Sequence, residues 1–369
     1  MTTQLDKKHL ETIDVMNESF STCSIDIESQ SQSESDSNCD EQHPSAYHRN
    51  LHSRHLQMIA IGSAIGSGIF VSSGSALSTA GPAALLIAWS IGGFLLYCTL
   101  QALCELVVTF PVSGGFMVYN TKFISPAWGF MISWNYVHSR IMSIPLELIA
   151  LSITMQYWVD VNIAVWISVA TVFLVIINLF GVRGYGEAEC IFSCIKLLGI
   201  LMFVIMALVL VCQGGTDKAY AGGKYWKTPG AFNHGFKGFS SILLTAILSY
   251  SGTEVMGLNI TEVKNPRKAM PSATKQAFWR IFFAYIISIT MITFLIPFND
   301  RKLQGNSPSD SNASPFVIAA VGAGLRGLPS VMNAVILIAV FSVVNTSVFA
   351  ASRAIVSLSQ QVSDTQLVG

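Results

Sequence analysis

From about residue 55 to residue 358 the chain is written in long apolar runs, separated by short links rich in proline, glycine and charge, such as Pro111-Val112-Ser113-Gly114-Gly115. A helix crossing a hydrocarbon core of about 30 Å needs about 20 mainly apolar residues. Eight runs have that length: 55–77, 84–108, 126–157, 163–180, 190–212, 238–262, 279–298 and 329–357. Buried helices of a soluble domain would supply one or two such runs, not eight, so the pattern predicts an all-α polytopic membrane protein with both ends on one side. Residues 359–369 are expected to form a short C-terminal tail.

Two of the eight runs are interrupted. In the first, Ile61-Gly62-Ser63-Ala64-Ile65-Gly66-Ser67-Gly68-Ile69-Phe70 places three glycines and two serines inside an apolar helix. Gly62 and Gly66 stand four apart, so one reading is a small-residue packing face. The other is an unwound segment whose freed amides and carbonyls hold a polar substrate near the membrane midplane. The sixth run shifts the balance to the second reading, because Ser249-Tyr250-Ser251-Gly252-Thr253-Glu254 interrupts it with small polar residues and a carboxylate. A helix N-terminus suits a carboxylate and unwound carbonyls suit an ammonium. Paired breaks therefore fit the two charged ends of an amino acid.

Composition agrees with the membrane assignment. Of 369 residues, 51% are apolar and 11% charged, against about 25% charged in soluble domains. Residues 1–50 hold 10 of the 21 acidic residues and 3 of the 21 basic ones. They predict a disordered, acidic, serine-rich tail with no basic-then-apolar leader. A net charge of zero with no basic block argues against nucleic acid as a partner, and the missing GxxxxGK[ST] argues against a P-loop ATPase. The seven cysteines form no CxxC pair and read as small packed residues. Taking the N-terminus inside puts 12 Lys and Arg on the inner side and 7 on the outer. That bias predicts a cytoplasmic N-terminus and would place the Asn312-Ala313-Ser314 tripeptide outside.

Several ordered segments resemble the fungal amino acid permeases of the amino acid, polyamine and organocation superfamily. They include His55-Leu56-Gln57-Met58, Gly66-Ser67-Gly68, Pro111-Val112-Ser113-Gly114-Gly115-Phe116, Pro145-Leu146-Glu147-Leu148, Gly181-Val182-Arg183-Gly184-Tyr185-Gly186-Glu187-Ala188-Glu189, Gly252-Thr253-Glu254 and Asn265-Pro266-Arg267-Lys268. The resemblance implies a LeuT-like fold of two inverted five-helix repeats, in which the first and sixth helices correspond. It also implies a plasma-membrane location and proton-coupled amino acid uptake by alternating access, with protons as the coupling ion and no cofactor. Carried onto this sequence, the substrate's α-carboxylate and α-amino groups fall to Ile65, Gly66, Ser67, Gly68, Ser251, Gly252 and Thr253.

Ionisable residues inside spans cost about 2.5–3.5 kcal/mol each on insertion scales, so each is a functional candidate. In some proton-coupled relatives a lysine of the fifth helix stands where sodium-coupled members bind their ion. Lys196 matches that place and is the proposed proton carrier, with snorkelling as the plainer account. Glu254 directly follows the sixth-run break and either orients it or shares a proton; Glu147 is a packing anchor or a relay. Glu105 and Glu262 read as helix and loop contacts. Arg140 departs from the aromatic or small residues its relatives carry. It lies seven residues before Glu147, which predicts a structural pair on one helix face. The sharper alternative places Arg140 and His138 in the side-chain pocket, shifting preference toward acidic or otherwise polar substrates.

The family's usual count is 12 spans, so about 8 of 12 are expected here and the second repeat is incomplete. Two functions follow: an amino acid transporter in the lipid bilayer, or a truncated, non-transporting membrane protein such as a regulatory remnant. An enzyme is disfavoured, since no HExxH, GxSxG or histidine-cluster motif is present. The particular amino acid and the oligomeric state have no sequence signal.

Overall fold

The computed structural model describes residues 53–110, 114–213, 223–258, 266–300, 302–303, 314–324 and 327–368. The expectations for residues 1–50, Glu262 and Asn312 lie outside them. All regular structure among the described residues is helical.

The first run is divided. α1 (Ser53–Ala64) ends at the glycines, a π-helical turn occupies Gly68–Ser72, and α2 (Ser73–Ala80) completes the crossing. Wide π-turns inside helices recur at functional positions because they free the regular hydrogen-bond ladder. There follow α3 (Pro82–Thr109), α4 (Phe116–Phe123), α5 (Pro126–Met155), α6 (Ile163–Leu179), α7 (Gly181–Gln213) and α8 (Lys224–Lys227). The sixth run is also divided, into α9 (Gly235–Ser249) and α10 (Val255–Leu258), with a turn through 250–254 between them. α11 (Pro266–Leu295), α12 (Pro315–Gly322) and α13 (Leu328–Val368) complete the chain.

Local chemistry sets several of these limits. Proline begins α3, α5 and α12, where its missing N–H costs no helix bond. Ser125 Oγ accepts the Trp128 N–H at 3.2 Å, and Asn162 Oδ1 accepts that of Ala164 at 3.0 Å. Both satisfy otherwise unpaired helix-start donors. At the other end, α13 runs to Val368 rather than stopping near 357. After Pro329 no proline or glycine interrupts the sequence until Gly369, so nothing ends the helix where the tail was expected.

Among the described residues, five helical segments are long and apolar enough to cross a membrane: Gln57–Ala80, Pro82–Thr109, Gly184–Cys212, Met270–Leu295 and Leu328–Gln361. Ile163–Leu179 and Gly235–Ser249 are apolar but shorter, the latter because the turn at 250 cuts it. α5 has 30 residues but carries Asn135, His138, Arg140 and Glu147 among them.

The two divided helices lie inside the bundle. α1 packs against α7, α11 and α13, while α9 packs against α3; α5 lies along α13. Ile61, Ile65, Ile69, Phe70, Phe203 and Phe316 are fully buried, with Phe316 in ring contact with both Phe70 (4.9 Å) and Phe203 (4.4 Å). By contrast, α6 and α7 expose Val172, Phe173, Ile176, Leu198, Leu201 and Ile205. Such outward apolar faces are stable where hydrocarbon, not water, surrounds the bundle.

Candidate functional site

The two breaks meet each other, and glycine permits the meeting. A Cβ on Gly68 would stand 2.8 Å from the Ser249 Cα, and one on Gly252 would stand 2.5 Å from the Ser63 carbonyl oxygen. Gly252 also has φ +110°, a conformation L-residues rarely adopt. Ser63 Oγ donates to the Gly252 carbonyl at 2.8 Å. On α11, the Tyr285 hydroxyl lies 2.8 Å from the Ala64 carbonyl and 2.7 Å from that of Ser249. Its single proton serves one at a time, so it ties both broken ends to a third helix. The Tyr285 ring stacks on Tyr250 at 4.6 Å. Nothing in the sequence singles out Tyr285, since a tyrosine in an apolar run looks like ordinary packing.

Beside this junction is a cavity of about 320 Å³, walled by the first break, the second break, α5 and α13. Its lining is unusually polar for a bundle interior: Ser63, Ser67, Ser72, Ser139, Arg140, Ser143, Glu147, Thr245, Ser249, Ser251 and Ser347 all contribute. On α5 the lining residues 139, 140, 143, 146 and 147 fall at helical spacing and so form one face. Of the residues assigned to substrate binding, Gly66, Ser67, Gly68 and Ser251 line the cavity. Ile65, Gly252 and Thr253 are buried behind its wall. Of the two side-chain pocket candidates, Arg140 lines it, whereas His138 is exposed and is not part of the lining. Helical geometry explains the split: His138 lies two residues from Arg140, on a different side of α5.

The expected pair between Arg140 and Glu147 does not form. Seven residues are two turns, about 10.5 Å along the axis, and each side chain finds a nearer partner on another helix. Arg140 forms its ion pair with Glu254, donates to Ser251 Oγ at 3.1 Å and lies 5.1 Å above the Tyr136 ring. Glu254 in turn accepts the Gly252 N–H at 2.8 Å and the Tyr136 hydroxyl at 3.2 Å. Its carboxylate thus holds the turn of the second break in shape. Glu147 instead accepts the Ser67 hydroxyl at 2.7 Å. Arg140 Nε and Glu147 Oε2 are buried with no hydrogen-bond partner among the described residues. Glu105 is exposed, next to buried Cys104.

Lys196 is fully buried behind the first break and does not line the cavity. Its Nζ donates to the Gly62 carbonyl and, at 2.8 Å, to Ser342 Oγ on α13. The Ser342 hydroxyl in turn donates a hydrogen bond to the carboxylate of Glu189, also fully buried. A lysine, a hydroxyl and a carboxylate therefore join α7, α13 and the last turn of α1, just before the first break. In the sequence Lys196 stands out as a charge within a span, whereas Glu189 falls at the end of a family-like motif and carries no role of its own. The available signal was a second ionisable residue seven positions before Lys196 in the same helix, together with Ser342 in the last apolar run.

A polar cavity between two broken helices of a multi-helical bundle is the arrangement in which secondary transporters hold their substrates. The chain matches the amino acid permease family over residues 55–363 and belongs to that family. It is 51% identical over 312 residues to the general amino-acid permease GAP2 of Candida albicans, covering 84% of this chain and 53% of that protein. It is 52% identical over 314 residues to the amino-acid permease GAP5 of the same organism, covering 85% and 50%. The chain thus spans about half the length of the curated relatives it matches. Among solved structures, Mhp1, a nucleobase-cation-symport-1 family transporter in a closed conformation with bromovinylhydantoin bound, aligns with a TM-score of 0.49. Its sequence identity is 14%, covering 87% of this chain and 74% of Mhp1.

Proposed function

We propose that the protein carries amino acids across a membrane by alternating access, holding the zwitterion in the cavity between its two broken helices. The observation that supports this best is the cavity of about 320 Å³, lined from both breaks by Gly66, Ser67, Gly68 and Ser251. Its volume is at the small end of ligand pockets, which run from about 300 to 1,000 Å³, and suits one amino acid. Main-chain groups at the breaks take the two charged ends, and their partial charges do so without a compensating ion. Transport proceeds by rocking of one helical bundle about this site.

The coupling ion is a proton and the location is the plasma membrane, with a cytoplasmic N-terminus on the lysine and arginine bias. Lys196 is the coupling residue, and the chain of contacts from Gly62 through Lys196 and Ser342 to Glu189 supports it. A change in the charge of Lys196 alters its hold on the Gly62 carbonyl, three residues from the first break. Binding and protonation are coupled by that contact. No cofactor enters this scheme.

The test is uptake of radiolabelled amino acids into liposomes containing the full chain, with the outside acidified and again with a protonophore present. Concentrative uptake that the protonophore abolishes is expected. Uptake that persists unchanged with the protonophore would remove proton coupling, and amino acid binding without any uptake would remove transport.

A further inference from the structure

We propose that Glu189 is the second proton-bearing group of the coupling site, taking through the Ser342 hydroxyl the proton that Lys196 gives up. The inference deepens the assignment of Lys196 as the coupling residue and rests on it. Both residues lie on α7 and are fully buried, and the Ser342 hydroxyl of α13 accepts from the first and donates to the second. A chain in that order moves a proton with little movement of heavy atoms. One N–H bond of Lys196 breaks as an O–H bond forms on Ser342, and the O–H that Ser342 held breaks as one forms on Glu189 Oε1. An ammonium and a carboxylate become an amine and a carboxylic acid. The serine ends as it began, and the net charge is unchanged.

The surroundings of Glu189 favour that end state. Its Oε2 is buried with no hydrogen-bond partner among the described residues, and a buried carboxylate so poorly matched is costly, whereas the neutral acid carries no charge to desolvate. Its neighbours on α13, Asn345 and Thr346, are uncharged, and the nearby phenol of Tyr185 is bonded to Thr346 Oγ1 at 3.3 Å. Glu147 of α5 also acts on Lys196 by its charge. It accepts from Ser67, however, while the hydrogen bonds of Lys196 among the described residues go to Gly62 and Ser342.

Gly62 ties the step to the first break. A Cβ there would overlap Glu189 Oε1 and stand 2.6 Å from Ser193 Oγ, so glycine lets the carboxylate lie against the last turn of α1. Lys196 holds the Gly62 carbonyl from the same side. A neutral amine is a weaker donor than an ammonium, so transfer to Glu189 loosens the end of α1 just before the break. Glu189 is also about two turns nearer than Lys196 to the start of α7, the end that the lysine and arginine bias puts inside. Transfer therefore carries the proton inward as it frees the break.

The test uses the full chain in liposomes and a labelled mixture of the common amino acids. An exterior about one pH unit more acidic than the interior supports about tenfold accumulation at one proton per substrate, and the unaltered chain is expected to approach it. Glu189→Gln keeps the shape and the acceptor for Ser342 but cannot become an acid, and Ser342→Ala keeps both charges without the bridge. Both variants are expected to exchange labelled for unlabelled amino acid yet show no accumulation. Retained accumulation in Glu189→Gln overturns the role of Glu189, and in Ser342→Ala alone it overturns transfer through Ser342. Lys196→Met, run alongside, separates the two readings: if it loses accumulation while Glu189→Gln keeps it, the coupling lysine stands without Glu189, and if it too accumulates substrate, the reading on which the inference rests falls as well. A second measurement covers variants that fail to fold. In the infrared difference spectrum of the unaltered chain with and without the unlabelled mixture, the carbonyl band of a protonated carboxylic acid is expected to change, and a constant band overturns the proposal.

Discussion

Replacing Gly252 by alanine isolates the contact on which the junction of the two breaks depends. Two costs are expected. The first is backbone strain, since φ is +110°, for which sparsely populated conformations cost about 1–3 kcal/mol. The second is steric: the new Cβ would be 2.5 Å from the Ser63 carbonyl oxygen, a main-chain atom that can yield only by moving α1 away from the second break. Overpacking of that kind costs about 1–3 kcal/mol. The sum is about 2–6 kcal/mol, a large share of a stability of about 5–15 kcal/mol. Gly230 is the control, because it has φ +135° with nothing within 4 Å of an added Cβ and so pays only the first cost. The assay is unfolding of each purified variant in mixed micelles, followed by far-ultraviolet circular dichroism, with amino acid binding measured in parallel. Gly252→Ala should lose about 1–3 kcal/mol more than Gly230→Ala and should bind substrate more weakly. Equal losses, with binding intact in both, would refute the claim that the breaks are held by close main-chain contact.

Three further outcomes are expected. Tyr285→Phe removes the hydroxyl shared by the Ala64 and Ser249 carbonyls and should cost about 1–3 kcal/mol in the same unfolding assay; no loss would mean that the breaks do not need this tie. Lys196→Met leaves the Glu189 carboxylate buried without its cation and should cost about 3–5 kcal/mol, while Lys196→Met/Glu189→Gln should recover most of it. The double variant should equilibrate substrate across liposomes without concentrating it, and retained accumulation would exclude Lys196 as the coupling residue. His138→Ala should change stability by less than about 0.5 kcal/mol and leave the order of competing substrates as it was, because His138 is exposed and outside the cavity lining. A reordered competition profile would return it to the site.

The parts of the site legible in the sequence are those whose signal is local. Gly66-Ser67-Gly68 and Ser251-Gly252 are out of place in apolar runs, and helix propensity alone predicts weakness there. Arg140, Glu147 and Lys196 are conspicuous for the same reason, as charges within spans. Their partners were not legible, because a pairing rule for one helix cannot see that Glu254, 114 positions from Arg140, is carried back by the bundle. Tyr285 and Ser342 are invisible for a related reason. Serine and threonine hydroxyls in apolar helices commonly bond their own preceding turn, and nothing local marks a hydroxyl that bridges helices instead. The end of α13 lies beyond the expected start of the tail because residues 359–368, although outside the apolar run, contain no helix breaker.

The central claim is that a zwitterionic amino acid sits between the two broken helices. Cryo-electron microscopy of the full chain in nanodiscs, bound to a rigidifying antibody fragment and saturated with an amino acid that it takes up into liposomes, tests it most directly. Ligand density in contact with Gly66–Gly68 on one side and Ser249–Ser251 on the other is the expected result. Density confined to any other place, or a cavity unchanged between saturated and ligand-free samples, would contradict it.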